Sequence, residues 1–404
     1  MSTPLMVGDP APWFTASLTS SPNFHFDTVA GHRIILSFIG SSKLEGSDRL
    51  IRDFVSLQAQ FEVHKTPFFG VIADPDDTEL ERLIDFPTYF KFFWDFDWRV
   101  SMLYRVCDFD DSSSQIKNYV PTTFVLNERL QIVGVFPIAE IKDHAQRVFG
   151  FVTSLPRFVT PVLAARQAPV LTIPNVLSKD LCRHLICRYE EHGGRPSGFM
   201  RQVDGKTVEV MDHSFKQRCD LLLEELELLQ TINDLIVRRV KPEIEKAFQF
   251  SITRFERHLV ACYEATTQGF FRRHRDNTTR GTVHRRFAMT LNLNTGNYDG
   301  GCLWFPEFGS QLYRPDIGEA IIFSCSLLHE VTPVTQGRRF ALLSFFYGDE
   351  DAKVRERNRQ YVVLKDESTQ NAGDRSISVK PSLGFHPKTH RKSAKSAKSR
   401  QRAK

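Results

Sequence analysis

Near residue 256 the chain changes period, and that change governs which folds are open to it. Beyond it, "HLVACYEA", "FAMTLNLN", "CLWFPE", "AIIFSCSLL" and "RFALLSFFY" are short apolar runs, divided by turn formers such as "NYDGG" and "RPDIGEA". Short strands at that spacing predict an antiparallel barrel or jelly roll. Ahead of them, "SKDLCRHLICRYEEHG" has helical spacing, with Ser178 as N-cap and Gly193 as stop. "QRCDLLLEELELLQTINDLIVRRVKPEIEKAF" reads as further helix with a proline break.

The first 157 residues follow another rule. "RIILSFIG" and "TPFFGVIAD" are β-branched apolar runs, and "SDRLIRDFVSLQAQF" between them has apolar residues at helical spacing, a β-α-β pattern. "VPTTFVLNERLQIVGVF" adds two strands joined by a polar turn. "VGDPAPWFTA", "GVIADPDD" and that proline-headed hairpin resemble the corresponding stretches of peroxiredoxins, which implies an α/β thioredoxin-like domain over residues 1–157. The resemblance fails at the nucleophile. In "SFIGSSKLEGSD", Ser47 falls where the peroxidatic cysteine belongs, and a serine hydroxyl cannot form a sulfenic acid. Cys107, the one thiol of the region, sits in "YRVCDFDD" beside acids that disfavour a thiolate.

Composition narrows the setting. There is no apolar stretch of membrane-spanning length and no basic leader at the start, and the seven cysteines are scattered without a C-x-x-C. A soluble, cytoplasmic chain without a disulfide framework, zinc ribbon or membrane partner is expected. The net charge of +5 is misleading, because the last 19 residues hold eight Lys/Arg and no acid, leaving 5 − 8 = −3 for the rest. The sequence therefore divides into 1–157, a linker at 158–168, a second domain at 169–366, and a basic, disordered tail at 367–404 that would offer contact to nucleic acid or an acidic partner.

Chemistry concentrates in the second domain. His274 and Asp276 in "FFRRHRDN" follow the strand "HLVACYEA"; 53 residues after Asp276 comes His329 at a strand end, and ten later Arg339 opens "RFALLSFFY". A second His-x-Asp, His25 and Asp27, lacks these companions and reads as a surface turn. Two imidazoles and one carboxylate on one face of an octahedral ion leave three positions open, the arrangement of non-heme Fe(II) oxygenases. A planar, permanently charged guanidinium suits a carboxylate of a co-substrate. Arg339 is chosen over Arg338 because adjacent residues of a strand face opposite sides. His284 is a rival ligand without a carboxylate at the required spacing, and reads as a polar loop residue.

The region resembles the prolyl-4-hydroxylase-type 2-oxoglutarate/Fe(II) dioxygenases over about 180 residues, with His274, Asp276, His329 and Arg339 matching the family's HxD...H...R pattern. That resemblance implies a double-stranded β-helix (jelly roll) with supporting helices, Fe(II) on His274, Asp276 and His329, and 2-oxoglutarate held by Arg339. It implies dioxygen as oxidant, ascorbate as reductant, and release of succinate and CO₂. It also implies Tyr263, Phe271, Leu291 and Leu303 as lining of the 2-oxoglutarate pocket; some relatives carry tyrosine where Leu291 stands. The carboxylate of Asp276 separates this chain from related halogenases, which need that position small for chloride, so hydroxylation is expected.

The expected substrate is peptidyl or amino-acid-like, either on a protein or as a small molecule. The polar segment 193–220, read as irregular, is expected at the pocket mouth, and the first domain is expected to dimerise or to dock substrate. Two other functions compete: a non-catalytic scaffold, and a peroxide-handling fusion.

Overall fold

The computed structural model describes residues 3–18, 21–77, 89–110, 115–139, 141–156 and 163–363. The tail and the first part of the linker lie outside these residues.

In the first half, seven strands form one mixed sheet in the order Ser21–His25, Thr15–Leu18, Phe90–Trp94, Phe68–Ile72, Ile34–Gly40, Thr122–Leu126, Ile132–Pro137. The three strands from Phe90–Trp94 to Ile34–Gly40 run parallel; Thr122–Leu126 is antiparallel to Ile34–Gly40, and Ile132–Pro137 is antiparallel to Thr122–Leu126 in turn. Every residue of Ile34–Gly40 is buried. Period two explains it: Ile35 and Ile39 pack with helices Ser47–Ser56 and His144–Ser154, while Ile34, Leu36 and Phe38 join an aromatic cluster on the other face. The helix expected over residues 47–61 is interrupted at Leu57 and resumes at Gln58–His64.

The second half is built from two antiparallel sheets. The larger runs in the order Leu171–Ile173, Ala320–Ser324, Phe287–Asn292, Val334–Tyr347, Arg254–Glu264, Cys219–Leu222, Arg195–Pro196. The smaller orders Lys216–Gln217, Phe270–His274, His329–Val331, Leu303–Trp304, Leu312–Tyr313. Alternation along the larger sheet sorts its side chains. Val260, Cys262, Met289, Phe340 and Leu342 pack with helices Lys179–His192, Leu226–Leu235 and Lys241–Phe248. Leu259, Ala261, Tyr263 and Ala288 instead meet Phe271, Leu303 and Val331 of the smaller sheet.

Ser178 caps the helix Lys179–His192, its Oγ accepting from the Leu181 amide at 3.2 Å, and Gly193 ends it. Two expectations are corrected. Cys219–Leu222 is a strand rather than helix, because it pairs with Leu259–Cys262 and helix starts only at Leu226. Segment 193–220 is also not irregular: Phe199–Val203 and Lys206–Val210 form a hairpin, closed by Asp204 and Gly205 at positive φ. The strand Val362–Val363 adds to that hairpin in parallel.

The halves meet through a buried arginine. Arg239 donates to Asp9 Oδ1 at 2.9 Å, to the carbonyls of Asn175 and Val176 at 3.1 and 2.9 Å, and to Val7 O at 2.8 Å; Arg238 also pairs with Asp9. Gly8 passes so close that a Cβ would lie 2.4 Å from the Asn175 carbonyl oxygen, and its φ of +95° favours glycine in any case.

Candidate metal and co-substrate site

His274 ends one strand of the smaller sheet and His329 begins the next, and the two are directly paired across the ladder. Asp276 follows on a turn held by its amide, which donates to Cys325 O at 2.9 Å. The imidazoles face one carboxylate: His274 Nε2 lies 3.5 Å from Asp276 Oδ1, and His329 Nε2 lies 3.5 Å from Oδ2. Each ring is oriented by its other nitrogen, His274 Nδ1 donating to Arg272 O at 2.7 Å and His329 Nδ1 to Leu327 O at 3.0 Å. A carbonyl can only accept, so Nδ1 carries the proton and Nε2 keeps its lone pair for a ligand.

The three ligand atoms lie within 4.8 Å of one another, the one such cluster of His, Cys, Asp or Glu among the described residues. Their protonation suits a cation. Burial raises the Asp276 carboxyl, but the two imidazoles and Arg285 outweigh it and hold it at about 2. Burial, reinforced by nearby His274, pushes His329 down to about 4. At neutral pH the set therefore presents a carboxylate and a neutral His329. Arg285 also supports the turn: it is clamped by Glu256 through two 2.6 Å hydrogen bonds and donates to Asp276 O at 3.3 Å.

These residues border a cavity of about 890 Å³ that runs between the two sheets to Arg339. Arg339 is 2% exposed. Its Nη2 donates to Thr290 Oγ1 at 3.1 Å and Asn292 Oδ1 at 2.9 Å, and its guanidinium lies 5.2 Å from the Tyr263 ring centre. Its Nε and Nη1 are buried and have no partner among the described residues. Leaving such donors unmet costs on the order of 1–3 kcal/mol each, which a carboxylate ligand would recover. The donor set and the unmet guanidinium thus fit Fe(II) and a dicarboxylate co-substrate. Arg338 turns outward and pairs with Glu190 at 2.6 Å.

Tyr263, Phe271 and Leu303 line the cavity. Phe271 stacks on His274 with ring centres 3.6 Å apart. Leu291 does not line it: it packs with the helices on the far side of the larger sheet, because strand alternation turns its neighbours Thr290 and Asn292 toward Arg339 instead. Those two residues were missed from sequence, although the same alternation that selects Arg339 would have found them. His284 lies in the turn at 281–284, as expected of a loop residue, but is buried and faces Glu256 at 3.3 Å, and it takes no part in the cluster. His25 is hydrogen-bonded to Thr15 in the first half, away from these residues. The hairpin at 199–210 borders the cavity through Phe199, Met200, Arg201, Gln202 and Glu209.

In the first half, Ser47 begins its helix, and Cys107 is buried with its thiol pushed up to about 11 by burial and by Asp95 and Asp108. Neither is an activated thiol. Among the described residues, no helix is long and apolar enough to cross a membrane.

Residues 258–347 match the model of the 2OG-Fe(II) oxygenase superfamily. The chain is 35% identical over 231 residues to a PKHD-type hydroxylase of Phenylobacterium zucineum, covering 54% of this chain and 96% of that protein. It is 38% identical over 97 residues to another from Saccharophagus degradans, covering 22% of this chain and 41% of that protein. The chain belongs to the 2OG-Fe(II) oxygenase superfamily, with PKHD-type hydroxylases as relatives. Among solved structures, a Pseudomonas putida prolyl-4-hydroxylase is 21% identical with a TM-score of 0.34, over 44% of this chain and 92% of that one. A Xylella fastidiosa PrxQ mutant is 18% identical with a TM-score of 0.33, over 38% of this chain and 98% of that one.

Proposed function

We propose that the chain is an Fe(II)- and 2-oxoglutarate-dependent hydroxylase of a peptidyl or amino-acid-like substrate. His274, Asp276 and His329 would hold the metal, and Arg339 the 5-carboxylate of 2-oxoglutarate. One observation carries this reading: a His-Asp-His cluster and a buried arginine with two unmet nitrogens border the same cavity. The chain's alternation between the two sheets supports a double-stranded β-helix for the domain at 169–366.

When bound, the iron supplies activation of dioxygen. The overall reaction is R–H plus 2-oxoglutarate plus O₂ giving R–OH, succinate and CO₂, with one oxygen atom in each of the first two products. The protein's part is positional. The Arg272 and Leu327 carbonyls fix both imidazoles, Arg285 steadies the Asp276 turn, and Thr290 and Asn292 hold the guanidinium of Arg339 toward the co-substrate. Tyr263, Phe271 and Leu303 supply walls that limit water. The domain at 1–157, without an activated thiol, is assigned to dimerisation or substrate docking.

Succinate release from 2-oxoglutarate in the presence of Fe(II) tests this. Wild-type protein should form succinate, and Asp276→Ala should lose on the order of 100-fold or more. Equal rates in the two proteins would refute the assignment.

A further inference from the structure

The cavity holds more positive charge than the co-substrate accounts for. Seven Lys/Arg side chains border it against three carboxylates, those of Glu209, Asp220 and Asp276. Most of the cations are answered. Arg285 and Arg257 pair with Glu256, Arg275 with Glu307, and Arg218 with Asp220 at 2.7 Å, while Arg339 is reserved for 2-oxoglutarate in the reading above. Arg201 is exposed at the rim. Lys216 remains.

Lys216 is 5% exposed, and its Nζ makes one hydrogen bond, to Gly198 O at 2.6 Å. An ammonium has three donors, and among the described residues no carboxylate stands at ion-pair distance from this one. Asp220 pairs with Arg218 through Oδ2 and keeps Oδ1 without a partner among the described residues, and Glu209 accepts from the Gly198 amide at 2.8 Å; both carboxylates act on Lys216 from beyond ion-pair distance. A buried ammonium without a contacting counterion is costly, and burial, then Arg218, push the Lys216 pKa well down; a carboxylate bound in the cavity would restore the charged form. The location is apt. Lys216 Nζ lies 5.0 Å from the centre of the Phe271 ring, the same ring that stacks on the metal-ligand candidate His274. Phe199 and Phe215, packed at 4.5 Å, add apolar wall to this part of the cavity, which Arg218, Asp220, Arg257 and Glu209 also border.

We infer that Lys216 receives a carboxylate of the primary substrate, whose apolar body lies against Phe199, Phe215 and Phe271 and whose oxidised carbon is thereby presented at the metal site. This rests on the hydroxylase reading and narrows its substrate to carboxylate-bearing molecules. The carboxylate comes either from a free acid or from an acidic residue of a peptide.

The full chain, loaded with Fe(II) and saturating 2-oxoglutarate, is assayed for succinate release with two matched probe pairs. One pair is hexanoate against hexanamide; the other is a blocked pentapeptide with central glutamate against its glutamine counterpart. In at least one pair, the carboxylate member should half-saturate at about tenfold lower concentration, as expected for one charge-assisted bond. The responding pair identifies the source. Lys216→Met should erase the preference and Lys216→Arg should keep part of it. Lys216→Gln, which retains a donor for the Gly198 carbonyl, should erase it without disturbing the wall.

The anaerobic Fe(II)/2-oxoglutarate charge-transfer band, recorded for each variant, reports whether the co-substrate site is intact. No carboxylate preference in wild type, or one that survives Lys216→Gln, overturns the inference while the band leaves the hydroxylase reading standing. Absence of the band in wild type removes both.

Discussion

Arg339 and its neighbours show how single residues divide the work. Arg338 and Arg339 are adjacent and chemically identical, yet one is paired with Glu190 at the surface and the other is 2% exposed beside the cavity. That choice was legible in the sequence because a strand sends alternate side chains to opposite faces. The same rule, applied to Thr290, Leu291 and Asn292, places the hydroxyl and amide against Arg339 and the leucine among the helices. Leu291 was misread because the resemblance pointed to a position without asking which face it takes. Thr290→Val should remove one acceptor that orients the guanidinium and raise the KM for 2-oxoglutarate about tenfold, matching roughly 1.4 kcal/mol. Steady-state kinetics against 2-oxoglutarate would show it, and an unchanged KM would mean that Asn292 alone holds the arginine. Leu291→Val, on the helix side, should leave that KM unchanged.

At the scale of elements, the strands bearing the ligands were readable from short apolar runs between turns. The hairpin at 199–210 was within reach too, through Asp204-Gly205 at its turn and the alternation of Val208 and Val210 with Glu209, and reads as irregular only because its many polar residues obscure that signal. Cys219–Leu222 was taken for helix because its leucines run directly into a true amphipathic helix, and only pairing with Arg254–Glu264, distant in sequence, makes it a strand. Packing of these elements also buries two histidines in neutral form. His258, hydrogen-bonded to Asn233 at 2.8 Å, is pushed down to about 3 by burial; His144, bonded to Thr123 at 2.9 Å, falls to about 4 through burial and then Arg147. The unfolded chain, titrating near about 6.5, binds more protons than the fold below that pH. Their contribution is therefore complete above about pH 6.5 and is lost as pH falls toward 4 and then 3. Thermal melting recorded from pH 8 down to 4 should show falling stability, and His258→Gln should flatten part of that slope. An identical slope in the variant would contradict the account.

For the whole molecule, Arg239 ties the N-terminal half to the oxygenase half, donating to Asp9 and Val7 across the junction and to Asn175 and Val176 in its own half, beside further cross-junction bonds from Arg238, Arg129 and Gln131. Nothing local in "LIVRRVKPE" marks Arg239 as buried, since its partners Asp9 and Val7 lie more than two hundred residues away. Arg239→Met should cost about 3–5 kcal/mol, as expected when one member of a buried ion pair is removed. Calorimetry should then show a lowered melting temperature, and a shift within error would mean that the junction is held by other contacts. In the proposed hydroxylase, one cavity would combine a metal site of three ligands with an arginine that binds a carboxylate. Anaerobic titration of Fe(II) and 2-oxoglutarate, followed by the metal-to-ligand charge-transfer absorption, tests this combination most directly. Wild-type protein should develop the band, His274→Ala should abolish it, and Arg339→Ala should require a much higher 2-oxoglutarate concentration to reach it. Folded wild-type protein that gives no band, or a band that His274→Ala leaves intact, would contradict the claim.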